Sequence, residues 1–121
     1  LYAAEAVNAL REMDGDLLLL CVTPHEEQAT KWPPYLRERY FTMLEKCTHM
    51  TAVSLHPTPT SQLDAYKRII DRSDMVLAVY DSATPCGDDA DSAMQYAVCK
   101  GNPLLLIHPD SRNTTVHFSE I

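Results

Sequence analysis

The sequence predicts an α/β fold, a Rossmann-like three-layer sandwich built on a parallel sheet. Three short runs, 17–22, 75–80 and 103–107, are apolar without alternation, the pattern of strands buried on both faces. Between them lie segments whose apolar residues recur at helical spacing. The resulting order, αβαβαβαβ, is that of a parallel sheet covered by helices.

Ala3, Ala6, Val7 and Leu10 give residues 2–13 one apolar helical face. Asp14-Gly15-Asp16 ends that helix, with Gly15 suited to a left-handed cap. The first strand is expected at 17–23, closed by Thr23-Pro24, and a loop at 25–32 leads to Pro33-Pro34. Leu36, Tyr40, Met43, Leu44 and Cys47 mark the second helix. A short strand is expected at 51–54, and His56-Pro57-Thr58-Pro59 excludes regular helix after it. Leu63, Tyr66 and Ile70 mark the third helix, followed by a strand at 75–80 and a loop at 81–88. Ala90, Ala93, Met94, Ala97 and Val98 form the fourth helical face, stopped by Gly101-Asn102, and the last strand is expected at 103–107. Residues 109–121 are polar, with only a weak alternation at 115–118.

A length of 121 residues fits one domain, and 45% apolar with 22% charged residues is an ordinary globular balance. The net charge of −7 repels phosphate backbones and so disfavours nucleic acid as a partner. A small anionic ligand stays compatible, because a helix N-terminus binds phosphate without Lys or Arg. The four cysteines, Cys21, Cys47, Cys86 and Cys99, have neither a disulfide framework nor zinc-type spacing, which predicts a reducing cytoplasm and no metal. The longest apolar run is too short to span a bilayer, so no membrane partner is expected. The sequence starts without Met and already in a helix, from which we expect an N-terminal piece to lie outside it.

Several segments resemble the YpsA-like branch of the SLOG superfamily. Tyr2-Ala3-Ala4-Glu5 resembles the start of the helix after that family's glycine-rich loop. Pro24-His25-Glu26-Glu27-Gln28 with Trp32 resembles its proline, acidic, glutamine and tryptophan loop. Asp71-Arg72-Ser73-Asp74, the strand to Tyr80-Asp81, and Gly101-Asn102-Pro103 resemble further family segments. The resemblance covers residues 2 to 109 or so. It implies that two upstream strands and the main phosphate cradle are absent from this stretch. It also implies a nucleotide-like small molecule as ligand. Ala65-Tyr66 and Cys86-Gly87-Asp88 depart from the family pattern, where an arginine-asparagine pair and a glycine-glycine-threonine or -serine often stand.

In open parallel sheets ligands bind beyond the carboxyl ends of the strands. The informative loops are then 23–32, 54–60 and 81–90. Glu26 and Gln28 are candidates for hydrogen bonds to a ribose or base, with Trp32 stacking on a ring; equally, Glu26 and Gln28 tie the loop down and Trp32 covers the core. Asp81 suits a ribose hydroxyl, or caps its own loop. Gly87 lets backbone approach a phosphate, but Asp88, Asp89 and Asp91 already complement the helix dipole beside it and would repel one. Ser73-Asp74 lies at the opposite end of its strand and reads as a structural corner. Cys86 is the one thiol in a loop near a helix start, without an identifiable base.

The first functional reading is therefore a module that binds a nucleotide or nucleotide derivative at Glu26, Gln28, Trp32, Asp81 and Gly87, with no cofactor. The alternative enzyme is an N-glycosidase or deoxyribosyltransferase, whose architecture is shared and whose chemistry needs a carboxylate one turn into the helix after the loop. Met94 stands at that turn and cannot serve; Asp91, one turn earlier, is the remaining candidate. A scaffold or regulatory protein is the third class, and self-association into a homo-oligomer is open to all three.

Overall fold

A computed structural model describes residues 1–81 and 88–117. Two compact units divide the chain, Leu1–Ser61 and Gln62–Ile121. Both are α/β with parallel strand pairs, the elements of a Rossmann-like sandwich.

The first unit runs α1 (Tyr2–Arg11), β1 (Leu20–His25), α2 (Pro34–Lys46), β2 (His49–Ser54). α1 ends at Arg11, ahead of Gly15, which does not adopt the left-handed conformation expected of it. Arg11 provides the closure instead: its guanidinium donates to the carbonyls of Leu17 (3.1 Å) and Lys46 (2.5 Å), the latter at the end of α2. Pro34 starts α2 at the first helical position, where its missing N–H costs nothing. The buried Asn8 of α1 donates to the Met43 carbonyl at 3.2 Å, and Arg39 of α2 pairs with Glu5 of α1 and covers the Tyr2 ring. Ala29, Tyr40 and Met43 form the core, with Leu19, Cys21, Trp32 and Leu44 packed on it.

β1 pairs with β2 in parallel, from Leu20↔His49 to His25↔Ser54. The strand is thus shifted toward its carboxyl end relative to the expected 17–23. Partner length decides this: the Leu19 carbonyl takes the amides of Thr48 and His49, and the ladder starts only there. Pro24 does not close the strand but lies inside it, which an edge tolerates because no ladder donor is lost on the free side.

The second unit continues with α3 (Ser61–Asp71), β3 (Val76–Val79), α4 (Asp89–Cys99), β4 (Leu104–Ile107) and β5 (Thr114–His117). β3 and β4 are parallel, and β5 adds an antiparallel edge, Leu105↔Val116, where the sequence showed only weak alternation. Asp88 caps α4 by accepting from the Asp91 amide at 3.1 Å. At the other end Gly101, with φ 81°, closes a Schellman motif: its amide donates to the Val98 carbonyl and that of Asn102 to Ala97. The Asn102 side chain then donates to the carbonyls of Ile70 (3.3 Å) and Ser73 (3.2 Å), and so fixes the end of α3. Ser73 is the structural corner expected of it, its hydroxyl donating to the Ile69 carbonyl.

Ile70, Val76, Ala93, Ala97 and Leu104 form the core of this unit. α3 and α4 therefore cover the face of the sheet that carries Val76 and Leu104. Leu77 and Val79, on the other face, are 58% and 70% exposed. The same holds in the first unit for Leu18 and Leu20, at 63% and 61%. The expectation that these strands are buried on both faces is corrected accordingly: within this chain the helices reach one face of each.

Candidate functional site

The carboxyl ends of the strands gather the polar groups in each unit. In the first, the register His25↔Ser54 brings the loops after β1 and β2 side by side. The Glu26 amide donates to the Ser54 carbonyl at 3.2 Å, and the Ser54 hydroxyl lies 3.2 Å from the Pro24 carbonyl and 2.8 Å from that of His56. His56 Nδ1 meets Glu27 Oε1 at 2.9 Å across the two loops. Tight turns carry the chain onward, with Thr30 N on the Glu27 carbonyl and Trp32 N on that of Ala29, both at 3.1 Å.

On this edge three buried side-chain atoms lack a hydrogen-bond partner: Thr23 Oγ1, His25 Nδ1 and Gln28 Oε1. Buried polar groups are nearly always paired, by protein or by ordered water, so three unpartnered atoms on one strand end and its loop mark this edge as a place where water or a ligand has polar partners to meet. Thr23 is 6% exposed. Its hydroxyl makes no hydrogen bond of normal geometry, although it faces the Tyr40 phenol closely enough to offset part of the rise that burial and Cys21 impose on that group. Beneath them, burial and the neighbouring Cys47 thiol push Cys21 up to about 11.

Glu26, Gln28 and Trp32 thus share one loop at this edge. Glu26 is exposed and Gln28 half-buried. Trp32 is half-buried, with its ring edge-to-face on Tyr40 at 5.1 Å, packed on the core. Asp81 belongs to the second unit; Gly87 and Cys86 lie outside the described residues.

In the second unit the edge after β3 and β4 holds Tyr80, Asp81, His108, Asp88 and Asp91. The Tyr80 hydroxyl donates to Asp91 Oδ1, a carboxylate buried in the first turn of α4. Asp81 Oδ1 lies 3.4 Å from His108 Nε2. An apolar groove of about 270 Å³ runs along β3, walled by Tyr66, Ile70, Ala93, Met94 and Tyr80. Among the described residues no group of three or more His, Cys, Asp or Glu could hold a metal ion. No helix among them is long and apolar enough to cross a membrane.

Sequence reasoning missed Thr23, His25 and His108. The signal for His108 was present, since it follows β4 directly, as Asp81 follows β3 closely, and the rule that singled out one edge loop applies to the other. Thr23 and His25 lay inside the loop singled out at 23–32, but nothing in their local pattern shows that their polar atoms are buried without a partner.

These features define a Rossmann-like α/β protein with polar side chains gathered at the carboxyl ends of its parallel strands. Residues 1–111 match the family model YpsA, described as the YspA SLOG family. The chain belongs to this SLOG family. It is similar to UPF0398 proteins of Bacillus cereus (strains B4264 and G9842), 32% identical over 87 residues, which is 70% of this chain and 47% of each relative. A UPF0398 protein of Bacillus thuringiensis (strain Al Hakam) matches over the same share at the same identity. The chain spans about half the length of the curated relatives it matches.

Proposed function

We propose that this protein binds a nucleotide or nucleotide derivative at the carboxyl edges of its strands. The orphaned Thr23 Oγ1, His25 Nδ1 and Gln28 Oε1 carry the reading, because a ligand rich in hydroxyls and ring nitrogens supplies the missing partners. Gln28 and Glu26 serve such a ligand from the loop after β1 of the first unit; in the second unit, by itself, Asp81 suits a ribose hydroxyl. Family membership and the resemblance of this loop support the same ligand class. Half-buried Cys21 and Cys47 and exposed Cys99 are free thiols, which suits a reducing cytoplasm.

Calorimetry of the full-length protein against ATP, NAD and ADP-ribose tests the reading. Binding that weakens in Gln28→Met, for a ligand on the first unit, or in Asp81→Ala, for one on the second, is the expected result; no heat at millimolar ligand overturns it. The glycosidase alternative would draw on Asp91, buried at the same edge as Asp81. Release of free base from nucleosides or nucleotides, abolished in Asp91→Asn, would favour it.

A further inference from the structure

We propose that His108 is a positioning residue for Asp81, holding that carboxylate in the orientation that receives a ribose hydroxyl. The proposal rests on the nucleotide reading for its ligand, and on the geometry around the imidazole for everything else.

Both nitrogens of the ring are accounted for. Nδ1 accepts the backbone N–H of Asp110 at 3.1 Å and that of Ser111 at 3.2 Å. A nitrogen that accepts cannot carry a proton, so the neutral ring has its hydrogen on Nε2. Nε2 is the atom that faces Asp81 Oδ1 at 3.4 Å. The turn that fixes Nδ1 therefore also fixes the tautomer and sets the protonated Nε2 3.4 Å from the carboxylate, within reach of a hydrogen bond after a small adjustment.

The turn itself is firmly held. The His108 amide donates to the Asn113 carbonyl at 2.9 Å, and the Arg112 amide returns to the His108 carbonyl at 3.0 Å. Arg112 sits at φ 62°, a left-handed conformation a non-glycine residue adopts only where its surroundings impose it. β5 then pairs back on β4 from Ile107↔Thr114. The imidazole thus stands on a rigid hairpin, while Asp81 stands at the end of the neighbouring parallel strand. Each side chain is about one-third exposed, 33% for His108 and 29% for Asp81, so the pair is open to a ligand.

At 3.4 Å the contact is long for an N–H···O bond. Such bonds at functional sites are commonly loose without ligand and tighten when it binds. A carboxylate accepts several hydrogen bonds at once, so a donor from His108 adds to the groups that orient Asp81.

Two substitutions separate the roles of the two nitrogens. Asn at 108 keeps an acceptor where Nδ1 was, preserving the turn, but cannot reach Asp81. Gln keeps a donor near the place of Nε2 and gives up the acceptor. ADP-ribose binding to the full-length protein, measured by calorimetry, should fall about tenfold in His108→Asn, the effect of losing one charge-assisted hydrogen bond. His108→Gln should stay within about threefold of the natural protein, rescuing what Asn loses. Thermal unfolding of both variants checks that the fold persists. Equal losses in Asn and Gln, or native affinity in Asn, overturn the proposal. Imidazole NMR of the isotope-labelled protein gives a reading independent of ligand: an Nε2–H tautomer, with the Nε2 signal shifted in Asp81→Asn, is expected. An Nδ1–H tautomer, or a signal indifferent to Asp81→Asn, overturns the contact itself. A natural protein without affinity for ADP-ribose, but with the expected NMR signature, removes the ligand assignment and leaves the His108–Asp81 pair standing.

Discussion

Replacing Gln28 by Met should stabilise the ligand-free protein and weaken its ligand binding. Gln28 Oε1 is buried without a partner on the loop after β1. A buried acceptor left unpaired costs about 1–3 kcal/mol, whereas an apolar group of the same shape carries no such cost. Methionine has nearly the length and flexibility of glutamine, so the substitution opens no cavity and forces no repacking. Gln28 is only half-buried, which places the gain at the lower end, about 1 kcal/mol. For a domain of this size that is a rise in Tm of about 3–6 °C. Trp32, the single tryptophan, packs on Tyr40 a few residues away and gives a fluorescence probe of the same loop. Unfolding in urea or heat would measure the stability, and calorimetry with ADP-ribose the affinity. The opposite signs are the point: a glutamine that merely ties its loop down would lose stability when changed. A Gln28→Met protein less stable than the natural one by 1 kcal/mol or so would refute the reasoning, because the orphaned oxygen would then have been contributing to the fold.

Further outcomes follow from the same structure. Gly101→Ala should destabilise by about 1–2 kcal/mol, read as a lower urea midpoint, because a Cβ is forced into the left-handed conformation at φ 81°. Asn102→Ala removes two side-chain bonds to the carbonyls that end α3 and should cost about 1–3 kcal/mol by the same assay. Stability should decline as pH rises above 9 and go on falling to about 11: the Cys21 thiol ionises near 9 when unfolded and only near 11 when folded, so protons lost on unfolding favour the open chain. Tyr40, also raised by burial, adds to the decline at higher pH, and Cys21→Ala should flatten its first part. Thiol alkylation followed by mass spectrometry should modify exposed Cys99 well before Cys21.

The α/β order and the parallel pairing were legible because helical faces and apolar runs depend on local pattern alone. Strand ends were not, because a ladder stops where its partner stops: residues 17–19 are as apolar as Leu20, yet β2 begins opposite Leu20. β5 left only a weak alternation for a related reason, since Thr114–His117 is mostly polar and becomes a strand through the edge that β4 offers. Gly101 and Asn102 were legible as a helix stop, while the reach of the Asn102 side chain to α3 depends on a tertiary approach no spacing records. At the edges, the loop with Glu26, Gln28 and Trp32 and the position of Asp81 followed from the strand-end rule. Which atoms are left unpartnered did not, because satisfaction of Thr23, His25 and Gln28 is a property of packing.

Charge narrows which part of a nucleotide derivative each edge can take. The second unit presents Asp81, Asp88, Asp89 and Asp91 at this edge, and the capping by Asp88 already uses the amide of Asp91. The positive end of that helix dipole is therefore neutralised by the protein itself, and a phosphate placed there would meet carboxylates. Hydroxyl groups meet the opposite condition, since a carboxylate accepts from them, and a diol suits an acidic edge whose one imidazole is turned toward Asp81. The groove of about 270 Å³ beside β3 is apolar and suits a flat ring, with the Tyr80 phenol at its wall. On the proposed reading, a diol suits the edge of the second unit, and a phosphate does not suit the start of α4. The acidic net charge, which argued against a nucleic-acid partner from the sequence alone, thus has a local counterpart at the start of α4 that disfavours an anion there.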